Sequence, residues 1–534
     1  MVLLSSNYDY DIIIVGGGIS GLFLAYKLVD TGLNILVLES SNRFGGRIQT
    51  FKQDSIQFEC GAARFHKSHA KLLSLIHELN LEEEIIELPK NIKYILRNKL
   101  EKYDYNTKNE LNIHELFKKV FQSKNNLSKD ILIKISFFQY LILLFDQETA
   151  LFIKDAFGYD SEFIHLNAYV ALNIFGEDLF KNNDYFVLKN GLSQIIERLE
   201  ELLNKATNVI IKTNCPLKDV FDNHILTTNE EKFNFNHLIM TIPQMNLLSI
   251  PYFKDNLLLR SVKPVKLLRI YAKYPKDNLW FQNIERTTTD NYIRHIIPID
   301  KENGLIMISY TDDKCAKMWN DNYSISEKFL IKTLHKEINS IYKISPPDPE
   351  FISVHYWENG IHMWKTGQDI DELYPSILKL NHEKEIYIAG ESFSKRQGWI
   401  EGSLETCYDI IKILPLNGFD VISDDSQSTN ISKITDQTKY YLIDEVLQEK
   451  NWIILDHNGR KPIYDIKKWI PNHPGGNIIL DGIQKNMYYK DKNNNPQSPI
   501  ELFRAKHANV NADKIIMNNL IGKNPQIKLI GYLK

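Results

Sequence analysis

At 534 residues the chain is long enough for more than one domain and a sizeable core. Hydrophobic residues make up 43% and charged residues 25%, a balance that fits a globular protein and excludes a disordered or fibrous one. A formal net charge of −3 gives no ground for expecting nucleic acid or an anionic membrane as partner. The four cysteines, Cys60, Cys215, Cys315 and Cys407, lack metal-type spacing and suit a reducing compartment. The first strand should begin near Tyr10, which leaves no room for a secretory signal. The most apolar stretch, Phe137 to Phe145, is too short to span a bilayer. A cytoplasmic location without a membrane anchor is therefore expected.

In chain order, Ile12 to Val15 is a β-branched run of strand length, and Gly16, Gly18 and Gly21 follow with G-x-G-x-x-G spacing. Leu22 to Leu28 reads as a helix. The first glycine allows a tight turn, the second lets backbone approach a pyrophosphate, and the third lets the helix pack closely. The helix N-terminus then offers unpaired N–H groups to the phosphates. A second strand, Asn34 to Leu38, ends in Glu39, placed to bond a ribose hydroxyl. Strand, turn, helix, strand and acid together indicate a dinucleotide site, against the alternative of a glycine-rich turn.

Two more glycines and two arginines follow in Arg43-Phe-Gly45-Gly46-Arg47-Ile-Gln-Thr50. With Glu39, this run resembles the acid plus R-x-G-G-R-x-x-T motif of the flavin-containing amine oxidase superfamily. The resemblance implies FAD, with the arginines near its pyrophosphate and contacts from Gly16, Gly18, Ile19, Ser20, Gly21, Glu39, Ser40, Arg43, Gly45, Gly46 and Arg47. The next segment, Gly61-Ala62-Ala63-Arg64-Phe65, resembles the flavin-contacting stretch of the L-amino acid oxidase branch. There the arginine pairs with the substrate carboxylate, and a guanidinium can hold a carboxylate by two parallel hydrogen bonds. The branch's methionine and proline are missing here, and an arginine paired with a structural acid is the other reading of Arg64.

From residue 76 to 184 apolar residues recur at helical spacing in Ile113 to Val120, Ile131 to Phe145 and Phe163 to Ile174, after His69 to Leu79. This reads as part of a substrate domain. Its aromatics Phe137, Phe138, Tyr140, Phe157 and Tyr159 are expected to pack the core. The segment 185–264 returns to the FAD domain, with Leu217 in a strand-turn resembling the one that touches adenine. In Val265 to Ala272, Lys266 falls on one face with Leu268, Ile270 and Ala272. The resemblance gives Lys266 the lysine that holds a water at the flavin N5. The alternative is a snorkelling edge-strand lysine.

The second substrate segment is 265–349. Beyond it, Ala389-Gly390-Glu391 and Gln397-Gly398-Trp399-Ile400 resemble the C-terminal FAD signature. Glu391 would accept from the ribityl chain, and the helix beginning at Ile400 would face the flavin. Trp399 would be one wall of an aromatic cage and Trp364 the other. No cysteine follows the Trp357 position, so FAD is expected to be non-covalent.

Residues 416–436 are polar and read as a linker. From 437 to 523, Trp452-Ile-Ile-Leu, Tyr464-Asp-Ile and His473-Pro-Gly-Gly resemble the cytochrome b5 haem-binding domain. That resemblance implies haem b held by His473 and His507. A hydrophilic insertion at 485–499 is longer than the family carries and leaves open a haem-free docking module. Residues 524–534 form a tail.

The expected fold class is α/β: a Rossmann-like FAD-binding domain (8–75, 185–264, 350–415) with an interleaved α+β substrate domain (76–184, 265–349), both within 1–415, then a small α+β cytochrome b5-like domain. The implied activity is FAD-dependent oxidation of an L-amino acid to an imine or carbonyl plus ammonia. Electrons would pass to dioxygen, to the fused haem or to an external electron-transfer partner. The alternatives are a polyamine or monoamine oxidase, a carotenoid- or porphyrinogen-type oxidase, and a redox sensor or scaffold without turnover.

Overall fold

The computed structural model describes residues 9–54, 56–97, 113–178, 184–381 and 384–415, with short strands between 440 and 533. The chain divides into two units, Met1–Val421 and Ile422–Lys534, and the division falls inside the polar stretch 416–436.

The first unit is organised by its two largest sheets. Tyr10–Val15, Ile35–Leu38, Val209–Lys212, Lys232–Met240 and Ile386–Ile388 pair in parallel, in the spatial order 386–388, 232–240, 10–15, 35–38, 209–212. Both faces of a parallel sheet are covered, so its strands read as continuous apolar runs. Ile12, Ile13, Ile14, Ile35, Leu36 and Val37 are accordingly fully buried. The helices Ile19–Leu28, Ser193–Lys205 and Ile400–Ile413 belong to the same core. The first begins three residues earlier than the Leu22–Leu28 expected from apolar spacing, because Gly18 is its N-cap.

The second sheet runs Phe351–Trp364, Val262–Lys273, Leu305–Asp312, His295–Asp300, Thr287–Thr289, Lys93–Ile95. Leu268, Ile270 and Ala272 bury their side chains in a core shared with Trp319, Leu334 and Ile338 from the helices Asp313–Ile325 and Glu327–Tyr342. The strand Phe351–Trp364 thus belongs to this second sheet.

Two expected helices are each broken in two. Ile131 to Phe145 becomes Lys129–Lys134 and Phe137–Leu144, because Ser136 starts the second piece with a reciprocal capping box to Gln139. Phe163 to Ile174 becomes Ser161–Ile164 and Ala168–Asp178, where the Asn167 side chain accepts from Val170 N at 2.9 Å. Local side-chain-to-backbone bonds outcompete helix continuation at these positions.

In the second unit, Tyr440–Tyr441, Lys528–Leu533, Pro462–Asp465 and Trp452–Ile454 form a four-stranded sheet in that order, and Tyr489–Lys490 pairs with Pro496–Gln497. His473 and His507 lie outside the described residues. Among the described residues, no helix is long and apolar enough to cross a membrane.

Candidate active site

A cavity of about 1430 Å³ opens beyond the carboxyl ends of the parallel strands and reaches across to the second sheet. That place is where open α/β sheets bind ligands. The volume exceeds the roughly 300–1,000 Å³ of a site for one drug-sized molecule, and so accommodates a dinucleotide together with a substrate.

One end of the cavity is glycine backbone. Gly16 holds φ +114°, and a Cβ there would meet Thr241 Oγ1 at 2.5 Å. A Cβ on Gly21 would meet Gly16 O at 1.9 Å, so Gly21 packs the helix and is absent from the cavity wall, while Gly16, Gly18, Ile19 and Ser20 line it. The helix Ile19–Leu28 has no side-chain cap, leaving its first N–H groups available to an anion. The second glycine loop is tied to the first, with Gly45 N donating to Gly17 O at 2.8 Å. Glu39 ends its strand and accepts from Gly17 N and Ser41 N, each at 2.8 Å. A carboxylate has about four acceptor positions, so it retains capacity for a ribose hydroxyl. Ser40 and Leu217 also line this end.

Arg43 and Arg47 line the cavity, but both spend donors on the protein. Arg43 Nη1 and Nη2 donate to the carbonyls of Phe44, Ile48 and Gly46, which shapes the loop. Arg47 Nη1 donates to Gly360 O at 3.0 Å and to Glu391 Oε2 at 2.6 Å. Glu391 also accepts from His362 N and Gly398 N, each at 2.9 Å, and from His362 Nδ1 at 2.8 Å. Its four acceptor positions are therefore filled by protein, whereas the sequence assigned it to a ribityl hydroxyl. Burial alone would raise the Glu391 carboxyl, but the Arg47 charge and the His362 contacts outweigh it and hold it well below the usual range.

Gly61 brings the substrate-side segment against this knot. A Cβ there would lie 1.9 Å from Arg47 O, a backbone atom that cannot swing away. Gly61→Ala is expected to separate the two segments and to yield soluble protein that retains less than about a tenth of its flavin, read from the absorbance of the purified variant.

Ala62, Ala63, Arg64, Gly390, Trp399 and Ile400 line the rest of the wall. The Arg64 guanidinium lies over the Tyr185 ring at 4.5 Å, and Tyr185 stacks on Trp399 at 6.0 Å. Among the described residues Arg64 has no carboxylate partner, in contrast to the alternative of a structural ion pair.

Two expectations are corrected by geometry. Lys266 is not on the cavity wall; its Nζ pairs with Glu358 Oε1 at 3.0 Å. The register between Val262–Lys273 and Phe351–Trp364 shifts between Val265 and Leu267. Leu268, Ile270 and Ala272 face the second core, while Leu267, Arg269 and Tyr271 face the cavity. The apolar face of the strand is thus the face turned away from the site, and Arg269 occupies the inward position. Trp364 is also off the wall. It is fully buried, with Nε1 donating to Ser394 O at 3.0 Å. Its strand neighbours Ile361 and Met363 line the cavity instead.

Sequence reasoning also missed Arg286, Tyr310 and the inward placement of Phe157 and Tyr159, all of which line the cavity. Phe137 and Tyr140 are buried core, as expected, and Phe138 packs against it. Alternation along Val262–Lys273 carried a signal for Arg269. Nothing local marked Arg286, Tyr159 or Tyr310.

Several ionisable groups in and beside the cavity are shifted. Burial pushes Glu59 up to about 7 against hydrogen bonds from Leu192 N and the Thr50 hydroxyl. Burial, then the Asp312 charge, pushes Glu162 up to about 8. Burial, then the charges of Arg286 and Arg64, holds the His295 imidazole neutral. Burial and Glu59 raise the Cys60 thiol to about 11, so it is not a thiolate at neutral pH.

With this geometry in view, the model of the flavin containing amine oxidoreductase family matches residues 19–408. The chain belongs to that family. The matched region ends before the second unit. The chain is similar to the "Probable flavin-containing monoamine oxidase A" of Dictyostelium discoideum, 40% identical over 73 residues, which are 14% of this chain and 16% of that one. It is similar to the pseudooxynicotine dehydrogenase of a Pseudomonas species, 34% identical over 102 residues, which are 18% and 20% of the two chains. These alignments therefore span about a fifth or less of the relatives' own length. A solved structure of a redesigned putrescine oxidase superposes with a TM-score of 0.60 at 17% identity, over 76% of this chain and 99% of that one, and shares the fold. FAD is the cofactor expected for the family. The glycine cradle, the uncapped helix end and the Glu39 carboxylate fit an adenine dinucleotide.

Proposed function

We propose that the chain oxidises the amine-bearing carbon of an L-amino acid, using non-covalent FAD. The observation that carries this reading is Arg64, a guanidinium on the cavity wall beside the Tyr185–Trp399 stack with no carboxylate partner among the described residues. A cation facing the cavity without an ion pair attracts a counter-ion, and an amino acid brings one next to its reacting carbon. FAD, when bound, supplies the two-electron acceptor for that carbon.

Gly16, Gly18, Ser20, Glu39, Gly45 and Gly46 would hold the dinucleotide portion of the cofactor. Arg64 would fix the substrate carboxylate by a bidentate pair, and Trp399, backed by Tyr185, would restrict the carbon to one orientation. No side chain is assigned as general base, because a neutral amine needs none. The product imine hydrolyses to an oxo acid and ammonia, and dioxygen or an external electron-transfer partner is the final acceptor. In the same proposal the second unit binds haem b through His473 and His507 and carries electrons outward.

The test is an anaerobic visible spectrum of the full chain before and after adding a pool of L-amino acids. The flavin band should bleach, and a reduced haem band should then grow. A flavin band unmoved by amino acids but bleached by putrescine or spermidine would instead support polyamine oxidation, with Arg64 structural.

A further inference from the structure

Arg64 is not the sole unneutralised guanidinium in the cavity. Arg269 and Arg286 line the same wall system. Arg269 is 7% exposed; its Nη1 donates to the carbonyl of Glu59 at 3.0 Å and its guanidinium lies over the Tyr310 ring at 4.4 Å. Arg286 stands just before the strand Thr287–Thr289, and its Nε is buried without a hydrogen-bond partner. None of the three has an ion pair among the described residues. Elsewhere the buried Arg294 pairs with Asp155 and Asp160, and the partly exposed Arg97 with Glu148, Asp155 and Asp290.

The cations are linked by rings. Tyr159 contacts His295 at 4.6 Å and Tyr310 at 5.2 Å, connecting the Arg269 side of the cavity to the strand that follows Arg286. Arg64 and Arg286 are close enough that burial, then the Arg64 charge, pulls Arg286 down to about 10, which still leaves it charged at neutral pH. The acids that face these groups do not balance them. Glu162 is shifted toward its neutral form, and Glu59 is turned to Leu192 N and Thr50. Glu285 lines the wall but pairs with Lys93, and Glu358 pairs with Lys266. A single substrate carboxylate neutralises one guanidinium and leaves like charges facing one another.

We infer that the cavity is built for a substrate with two carboxylates, an acidic amino acid, whose second carboxylate is held by Arg286. This rests on the amino acid reading above and specifies its side chain.

The experiment uses the flavin-loaded full chain and Arg286→Leu. First, the non-oxidisable probes glutarate and butyrate are titrated while the flavin spectrum is followed. Glutarate should bind at least 10-fold more tightly than butyrate, and Arg286→Leu should remove that advantage. Second, anaerobic flavin bleaching is compared for L-glutamate, L-aspartate and L-leucine. The acidic pair should be at least 100-fold more efficient in wild type, and Arg286→Leu should raise their KM far more than it lowers kcat. Replacing a partly buried charge that has no ion pair by an apolar side chain should not lower the melting temperature, so a folded variant is expected. Arg286→Lys, which keeps the charge, should retain part of the glutarate preference. Bleaching by L-leucine at least equal to that by the acidic pair, with no glutarate preference, overturns this inference and leaves the amino acid reading intact. Bleaching by polyamines alone overturns both.

Discussion

Arg64→Met should cut kcat/KM for L-amino acids by about 30-fold to several thousand-fold and leave polyamine turnover, if present, within a few-fold of wild type. The range follows from the roughly 2–5 kcal/mol lost when one member of a buried charge pair is truncated, at about 1.4 kcal/mol per factor of ten. Methionine keeps length and apolar bulk, so the Tyr185 face that carries the guanidinium at 4.5 Å stays covered. The apoprotein should not lose stability, because no carboxylate among the described residues is orphaned by the change. Stopped-flow flavin reduction with each substrate class reads the difference directly. Equal losses on amino acids and polyamines would show that Arg64 holds up the wall and does not select the substrate.

Glu391→Ala should be the most damaging single change to the fold around the cofactor, costing about 3–5 kcal/mol in denaturant unfolding, since it leaves a charge partner and several donors buried without an acceptor. The carboxylate ties together Arg47 from the second glycine loop, His362 from the strand Phe351–Trp364, and Gly398 just before the helix Ile400–Ile413. Flavin retention should fall with stability, because those three segments each contribute to the cavity wall. The pH dependence has a definite sign. A glutamate near 4.3 in the unfolded chain and far lower in the fold contributes its stability above the unfolded value. That contribution erodes as pH falls below about 5 and is lost as pH passes the folded value. Wild type should therefore lose stability between pH 5 and pH 3 more steeply than Glu391→Gln, as measured by urea midpoints at each pH. Parallel slopes would mean that Glu391 is not the ionised centre of this knot.

Much of the site was legible because its elements are local. The strand Tyr10–Val15, the three glycines and Glu39 lie within 30 residues, and each has a reason that holds whatever the rest of the chain does. Gly21 illustrates this: the third glycine of the spacing predicts close packing, and its Cβ position is filled by Gly16 O. The helix-spaced stretch His69 to Leu79 likewise appears as Ala70–Glu78. Where a short polar side chain could bond its own backbone, at Ser136 and Asn167, periodicity overran the true helix ends, because hydrophobic spacing does not register a capping bond.

The sequence by itself determined the dinucleotide-binding unit, the two glycine loops and the presence of Arg64 beside them, since short-range sterics and backbone hydrogen bonding set these. Tertiary structure alone decided which face of the strand Val262–Lys273 meets the cavity. The face of Leu268, Ile270 and Ala272 packs on Trp319, Leu334 and Ile338, so Lys266 on that same face is off the cavity wall while Arg269 on the other face lines it. It also decided that Glu391 is saturated by groups 29 and 344 residues away, and that Arg286, Tyr159 and Tyr310 converge on Arg64's cavity. Charge balance inside a cavity is a sum over segments distant in the chain, so no local pattern could reveal that three guanidinium groups line it with no ion pair among the described residues.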